Sequence, residues 1–148
     1  MLSIPKVNTL ANPFFFFLYS YLVVVGSALG NVGRINVETR TYSTLYNDAK
    51  FPQYVSVDEY NDVVYWVNFD EGDNRLKLFK TYYSGITSEL NISYPQNTEV
   101  RITQDMLHLY LLDGNNNRID KYLKSSLEKV NSIETLSGAN GIIAAFGK

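Results

Sequence analysis

The chain has 148 residues, of which 45% are hydrophobic, so it is long and apolar enough to bury the core of one globular domain. Thirteen basic residues against fifteen acidic ones give a net charge of -2, which excludes the strongly basic surface of a nucleic-acid-binding protein. The absence of cysteine excludes disulfide bonds, thiolate zinc sites and cysteine nucleophiles. Twelve Tyr and eight Phe favour β-strands, and the predicted fold class is all-β.

The N-terminal segment is uncharged and strongly apolar over residues 14–25. Lys6 in front of it and small residues behind it are typical of a secretory signal peptide, with cleavage after Ala28. Residues 1–28 are therefore predicted to be a signal peptide. Two alternatives stay open. About 20 apolar residues can also form a membrane anchor, and the short β-branched run from about residue 21 is also typical of a buried strand.

A repeat runs along the rest of the chain. The stretch around Tyr65 is similar to the stretch around Tyr110, 45 residues later, and Arg75 is matched by Arg118, 43 residues later. A period of about 40–50 residues indicates stacked supersecondary units. Each copy contains short strands separated by polar turns that are rich in Asn and Gly, which tolerate the positive φ of tight turns. The repeat therefore predicts small sheets of three or four antiparallel strands.

Less complete copies flank these two. Tyr21 precedes Tyr65 by 44 residues, Arg34 precedes Arg75 by 41, and a further copy begins near Asn140. The chain is therefore predicted to hold about two complete units, with an incomplete unit on each side.

The spacing within the copies resembles the YWTD repeat, the class B repeat of low-density-lipoprotein receptors. Its pattern is an aspartate, then Tyr-Trp-Thr-Asp seven residues later, and then Asn-Arg-Ile. The residues that carry the resemblance are Asp58, Tyr65, Trp66, Asn68 and Arg75 in one copy and Tyr110, Asp113 and Arg118 in the next. Neither copy has the motif intact, and Thr103 falls on the position of Asp58.

The resemblance implies that residues 29–148 form a partial β-propeller of the YWTD type, with about two complete blades of the six that the family has. In this family the motif is architectural: its aromatic side chain packs between sheets, and its carboxylate bonds backbone groups. The matched residues are therefore expected to build the fold and not to bind a ligand.

Candidate sites are few. His108 is the single histidine, and without a second histidine or a cysteine it is predicted to be a strand residue at a sheet face. Asp70, Glu71 and Asp73 lack the EF-hand spacing and are predicted to form a solvated turn and not a calcium site. No catalytic, cofactor-binding or metal-binding residue is predicted. Asn91 begins the one N-glycosylation sequon and is expected to be exposed if the chain is secreted.

The resemblance implies an extracellular or cell-surface module that binds a protein ligand, and not an enzyme. One alternative is a lactonase-like hydrolase, which would need carboxylates and amides from several blades around a central calcium ion; another is an NHL-like scaffold. A further alternative is edge-to-edge association of copies through open blade edges. Nucleic acid and cofactors are not expected partners, and contact with a membrane is expected only through an N-terminal anchor or flanking segments.

Overall fold

The structure is a computed structural model that describes residues 21–26 and 30–142. Within these residues it consists of β-strands and their connections, with one 3-10 turn and no α-helix, which confirms the all-β prediction. The strands are β1 (Tyr21–Gly26), β2 (Asn31–Asn36), β3 (Tyr42–Tyr46), β4 (Pro52–Asp58), β5 (Val63–Asp70), β6 (Arg75–Tyr82), β7 (Thr87–Pro95), β8 (Val100–Gln104), β9 (His108–Asp113), β10 (Arg118–Leu123) and β11 (Lys129–Glu134). In the same part of the chain, no helix has the length and apolarity needed to cross a membrane.

The strands form three antiparallel sheets in chain order. Sheet 1 is β1-β2-β3, sheet 2 is β4-β5-β6-β7 and sheet 3 is β8-β9-β10-β11. The β5–β6 and β9–β10 turns each end in an asparagine with left-handed backbone, Asn74 at φ 55° and Asn117 at φ 51°. Asparagine stands there because its short polar side chain tolerates a conformation that most L-residues avoid.

Sheet 1 corresponds to the second, third and fourth strands of the other two sheets. The Ala49 amide donates to the Gly30 carbonyl at 2.9 Å, which places the β1–β2 turn at the end where the chain enters β4. The β5–β6 turn lies at that same end of sheet 2. Gly30 also has the left-handed backbone of Asn74, with φ 63°. The β1–β2 turn is therefore the counterpart of the β5–β6 turn.

This correspondence corrects one predicted match. Tyr21 and Tyr65, 44 residues apart, occupy equivalent places and both face the following sheet. The same spacing puts Asn31 on Arg75, and each of these pairs with the last residue of the preceding strand. The predicted match of Arg34 with Arg75 is therefore wrong, because the turn ends three residues earlier than that match assumed.

The first hairpins of sheets 2 and 3 differ in length. Asp58 pairs with Val63 across a four-residue loop. The Asp105 amide donates to the His108 carbonyl at 3.0 Å, which leaves a loop of two residues. Asp105, and not Thr103 as predicted, therefore occupies the position of Asp58. The shorter loop shifts the alignment of the first strand only.

The three sheets pack face to face through two cores. The core between sheets 1 and 2 holds Val32, Leu45, Ala49, Val64 and Trp66. The larger core between sheets 2 and 3 holds Val63, Tyr65, Val67, Leu76, Leu78, Leu90, Ile92, Tyr94, Val100, Ile102, Leu109 and Leu111. The sheets meet at one edge, where β1 of sheet 1 contacts β4 of sheet 2 and β4 contacts β8 of sheet 3. Sheets stacked in this way are consecutive blades of a β-propeller, here two complete blades and one incomplete blade.

Only part of the predicted N-terminal segment lies in the described residues. Tyr21–Gly26 form β1, whereas residues 1–20 and 27–29 lie outside the described part. The signal peptide and the anchor therefore stay predictions. The copy that begins near Asn140 likewise lies largely outside, in residues 143–148.

Candidate protein-binding face

The adjacent residues Tyr65 and Trp66 lie on opposite faces of β5. Trp66 is fully buried towards sheet 1, where its ring stacks on Phe79 with centroids 4.7 Å apart and its Nε1 donates to Thr81 Oγ1 at 2.9 Å. Tyr65 lies in the core towards sheet 3, and burial, aided by the Asp58 carboxylate, raises its pKa to about 12. The pair therefore contributes to both cores.

Asn68 and Asp113, which occupy the last position of the motif in the two copies, fix neighbouring backbone segments. Asn68 Oδ1 accepts a hydrogen bond from the Phe51 amide at 3.0 Å, which ties β5 to the segment that enters sheet 2. Asp113 takes the ladder position of Asn68 in sheet 3. Its Oδ1 accepts from the Asn116 amide at 3.2 Å and so stabilises the 3-10 turn. Arg118 lies 3.4 Å from Asp113 Oδ2.

Asp58 forms a polar link between sheets 2 and 3. Its Oδ2 lies 2.5 Å from Lys124 Nζ, in the turn after β10, and accepts from Asn61 Nδ2 at 2.9 Å. Lys124 also contacts Gln104, whose Nε2 donates to the Val57 carbonyl at 2.8 Å. Burial opposes ionisation of Asp58, but hydrogen bonds from Lys124 and Asn61 hold its pKa below the usual range. We call Asp58, Gln104 and Lys124 the latch.

Asp120 forms a second link at the other end of the same two sheets. It accepts from the Tyr94 hydroxyl of sheet 2 at 3.1 Å and from Ser132 Oγ at 2.7 Å. Lys129 Nζ lies 2.7 Å and Arg118 Nε 3.2 Å from its Oδ1. Burial raises the pKa of Asp120, but the bonds from Lys129 and Ser132 outweigh it and lower the pKa. The sequence analysis did not identify this residue.

Two carboxylates of the acidic turn of sheet 2 share one lysine of the same sheet. Lys77 Nζ lies 2.7 Å from Asp70 Oδ2 and also contacts Asp73. Hydrogen bonds to these carboxylates raise the pKa of Lys77. Asp70 Oδ1 accepts from the Gly72 amide at 2.8 Å, whereas Glu71 is exposed. In the described part of the chain, no group of three or more His, Cys, Asp or Glu residues is arranged to hold a metal ion.

His108 begins β9, so its predicted strand position is confirmed. Its Nδ1 lies 3.1 Å from Asp105 Oδ1, and the same carboxylate accepts from the Tyr110 hydroxyl at 2.6 Å and the Leu107 amide at 2.8 Å. Burial opposes ionisation of Asp105, but these hydrogen bonds lower its pKa to about 2. The bond to Asp105 in turn raises the pKa of Tyr110 to about 12. Asp105 is thus a hydrogen-bonded anchor of the β8–β9 hairpin.

The two ends of the stacked sheets differ in character. We call the end with the β2–β3, β4–β5, β6–β7 and β8–β9 turns the hairpin face. Its exposed large apolar residues are Val37 (46% exposed), Tyr60 (83%), Tyr82 (37%), Ile86 (68%), Met106 (67%) and Leu107 (62%). At the opposite end, the described turns expose only Phe51 and Leu136 among large apolar residues. The apolar surface of the turns is therefore concentrated at one end.

Two open grooves lie on the hairpin face. The first, of about 470 Å³, lies between the first hairpins of sheets 2 and 3 and is lined by Val57, Asp58, Glu59, Tyr60, Gln104, Asp105 and Met106. The second, of about 390 Å³, is lined in part by Tyr82, Met106, Leu107 and Lys124. Asp58 lines the first groove and Lys124 the second, so their ion pair links the linings of the two grooves.

Asn91 lies at the side of the molecule, away from both ends. It belongs to β7, the outer strand of sheet 2, and is exposed between the buried residues Leu90 and Ile92. The register of β7 on β6 shifts at this point. The sequon therefore lies on an exposed, irregular part of an edge strand.

No protein-family model and no curated protein matches the chain. Among solved structures, it is similar to apo AztD from Citrobacter koseri, with a TM-score of 0.64 at 13% identity, covering 84% of this chain and 34% of AztD. A second structure of Citrobacter koseri AztD gives a TM-score of 0.64 at 16% identity, covering 87% and 36%. A chain of a nidogen/laminin complex gives 0.47 at 10% identity, covering 77% and 59%.

At these identities the similarity shows the fold alone. The stacked sheets and the match to AztD define the chain as part of a β-propeller. It spans about a third of the length of AztD.

Proposed function

We propose that this chain is part of an extracellular propeller of the YWTD type that binds a protein ligand through its hairpin face, and that it is not an enzyme. The observation that carries the proposal is the concentration of exposed apolar side chains in the turns of one end. Tyr60 and Met106 flank the first groove, and Met106 also lines the second. Aromatic residues and methionine are enriched in protein interfaces, where they act as anchors.

The platform beneath these side chains favours binding. Turns on packed sheets present side chains at fixed positions, so little order has to be gained when a partner binds. The latch joins the two hairpins whose tips carry Tyr60 and Met106. The carboxylates of Asp58, Glu59 and Asp105 in the first groove disfavour nucleic acid as the ligand.

The YWTD type and the extracellular location are supported by separate features. Tyr65 and Trp66 fill the two cores on either side of one blade, as the resemblance implies for the motif. The apolar N-terminal segment is typical of a signal peptide, and the exposed Asn91 sequon is suited to a secreted chain.

A binding screen with matched variants tests the proposal. The wild-type chain would be immobilised and exposed to an array of purified extracellular domains, in parallel with a hairpin-face variant carrying Tyr60→Ser, Met106→Ser and Leu107→Ser. A control variant would carry exposed changes at the opposite end: Glu71→Ser, Gln96→Ser and Leu136→Ser. We expect at least one domain to bind wild type and control equally and the hairpin-face variant at least about tenfold more weakly. Binding that is lost in the control, or unchanged in the hairpin-face variant, would contradict the proposal.

A further inference from the structure

The chain leaves sheet 3 through residues 135–142, which follow β11 and belong to no strand. The first part of this segment is attached to the β9–β10 turn. The Thr135 amide donates to the Asn117 carbonyl at 2.7 Å, and the Gly138 amide donates to Asn117 Oδ1 at 3.3 Å. Asn140 lies two residues beyond the last of these bonds.

Asn140 and Gly141 form the single Asn-Gly pair in the sequence, and both residues are exposed. Among the described residues, neither the Asn140 side chain nor the Gly141 amide has a hydrogen-bond partner. A Cβ atom at Gly141 would have no neighbour within 4 Å, so the space around its backbone is open. The peptide bond between the two residues is therefore accessible to solvent.

An asparagine and the backbone nitrogen that follows it can react with each other. After losing its proton, the nitrogen attacks the side-chain Cγ. The N–Cγ bond forms, the Cγ–Nδ2 bond breaks, and the amide nitrogen leaves as ammonia. Water then opens the five-membered succinimide ring at one of its two carbonyls, which gives aspartate or isoaspartate. A following glycine favours this reaction, because it has no Cβ to crowd the nitrogen and its backbone rotates freely to bring the reacting atoms together.

We propose that Asn140 deamidates spontaneously in the folded chain, with the Gly141 nitrogen as the nucleophile, water as the second reactant, and aspartate and isoaspartate as the products. The sequence pair supplies the reactive groups. The fold leaves them exposed and without the hydrogen bonds that hold other asparagines of the chain.

The three consecutive asparagines of the β9–β10 turn show the contrast. Asn115 Nδ2 donates to the Asn97 carbonyl at 2.7 Å. Asn116 Nδ2 donates to Asp113 Oδ2 at 2.8 Å, and Asn117 Oδ1 accepts the bond described above. Each of these side chains has to give up a hydrogen bond before its Cγ can meet the following nitrogen, which raises the barrier to ring closure.

Asn131 offers a closer comparison, because the serine at 132 is the smallest residue that follows any other asparagine of the chain. Asn131 lies in β11, where pairing with Lys121 holds its backbone extended. The Ser132 amide donates its proton to Asn131 Oδ1 at 2.8 Å, and that proton has to be lost before the nitrogen can attack. β11 therefore has to open before this ring can close, and Asn131 is the matched internal control.

The reaction would change the chain at the entry to the next copy of the repeat. The sequence places Asn140 at the position of Pro52, the first residue of β4. Deamidation adds one negative charge to a chain whose net charge is -2. Isoaspartate also adds one methylene group to the backbone, which interrupts the two-residue alternation of a strand. The change therefore falls on the junction between sheet 3 and the copy that follows.

Peptide mapping by mass spectrometry tests the proposal on the full-length chain, stored at neutral pH either folded or unfolded in guanidinium chloride. The rate at Asn140 is expected to differ by less than about threefold between the two states, because no opening is needed. At Asn131 the folded chain is expected to react at least about tenfold more slowly than the unfolded chain, because β11 has to open. A larger protection of Asn140, or equal protection of both residues, would overturn the proposal.

A variant at the following residue tests the nucleophile. Gly141→Val is expected to slow the reaction at Asn140 by at least about tenfold, because a β-branched side chain crowds the nitrogen and stiffens the backbone. It should fold as the wild type does, since Gly141 has open space and no left-handed backbone. Fluorescence of the buried Trp66 checks this, and Gly141→Ala replaces it if the unfolding midpoint changes. An unchanged rate in these variants would overturn the proposal.

Discussion

Replacement of Lys124 by methionine should weaken the contact between sheets 2 and 3. The substitution keeps most of the aliphatic stem but removes the cation beside Asp58, whose side chain is only 4% exposed. Removing one partner of a buried ion pair costs about 3–5 kcal/mol. Asp58 keeps the hydrogen bonds from the Asn61 amide and side chain. We therefore expect a loss at the lower end of that range, about 3 kcal/mol in the free energy of unfolding.

The loss should depend on pH. In the wild type, the folded-state pKa of Asp58 is lowered. Its contribution to stability is then fully present above the unfolded pKa of about 3.9 and is lost as the pH falls through the folded pKa. Without Lys124, the burial that opposes ionisation of Asp58 is no longer offset by a cation. Protonation of Asp58 at lower pH then removes the cost of burying an unpaired carboxylate in the variant. The difference in stability between variant and wild type should therefore shrink as the pH falls from about 7 to about 4.

Trp66 supplies the assay for this prediction. It is the single tryptophan and is fully buried, so its fluorescence reports unfolding. Urea unfolding at the two pH values gives the free energies. Lys50→Met, which removes an exposed lysine, is the matched control. The reasoning is refuted if Lys124→Met lies within about 0.5 kcal/mol of the control, which is the range of ordinary surface changes, or if the difference grows in acid.

Three further predictions concern single side chains. Thr81→Val should lower the free energy of unfolding by about 1–3 kcal/mol, because the buried Trp66 Nε1 loses its hydrogen-bond acceptor. Thr81→Ser keeps the hydroxyl and should lower it less. Thermal unfolding measures both losses, and equal losses would contradict this. Asn117→Val should lower the free energy of unfolding by about 1–2 kcal/mol and Asn117→Gly by much less, because the left-handed backbone strains a β-branched residue. Denaturant unfolding measures both losses, and a larger loss for Asn117→Gly would oppose the explanation. Asn91 should carry a glycan after secretion from eukaryotic cells, seen as a mobility shift that a glycosidase removes and Asn91→Gln lacks; secretion without the shift would count against an accessible sequon.

The repeat could be predicted from sequence because the strongest constraints are local. A turn that requires left-handed backbone selects asparagine or glycine, and this produces the recurrence of Gly30, Asn74 and Asn117 at 44 and 43 residues. The buried central strand selects aromatic residues at a constant distance from that turn, and Tyr65 and Tyr110 follow from it. These patterns are short, so they survive where the rest of each copy has diverged.

The alignment failed where loop length changed. The β8–β9 loop is two residues shorter than the β4–β5 loop, so Asp105 moved out of the place where a constant spacing puts the counterpart of Asp58. The Asp105 side chain still accepts hydrogen bonds from amides of its own hairpin, as Asp58 does. An aspartate at the end of the first strand, counted from the hairpin and not from the tyrosine, is the signal that would have identified it.

The latch could not be predicted because its two charges lie 66 residues apart in the chain. No local pattern distinguishes Lys124 from other lysines in polar turns, and its partner becomes apparent only when sheets 2 and 3 are stacked. The hairpin face could not be predicted for the same reason. Tyr60 and Met106 belong to different hairpins and lie on opposite sides of the first groove only in the folded chain.

The latch and the hairpin face are coupled by position. Asp58 is the last residue of β4, two residues before Tyr60, and Lys124 lines the second groove beside Met106 and Leu107. A buried ion pair contributes little net stability compared with apolar packing, and in some proteins it fixes the relative placement of its partners. We therefore expect Asp58 and Lys124 to constrain how far apart the hairpin tips lie. On this argument, a Lys124 variant that still folds should bind a ligand of the hairpin face more weakly, although Lys124 itself need not contact that ligand.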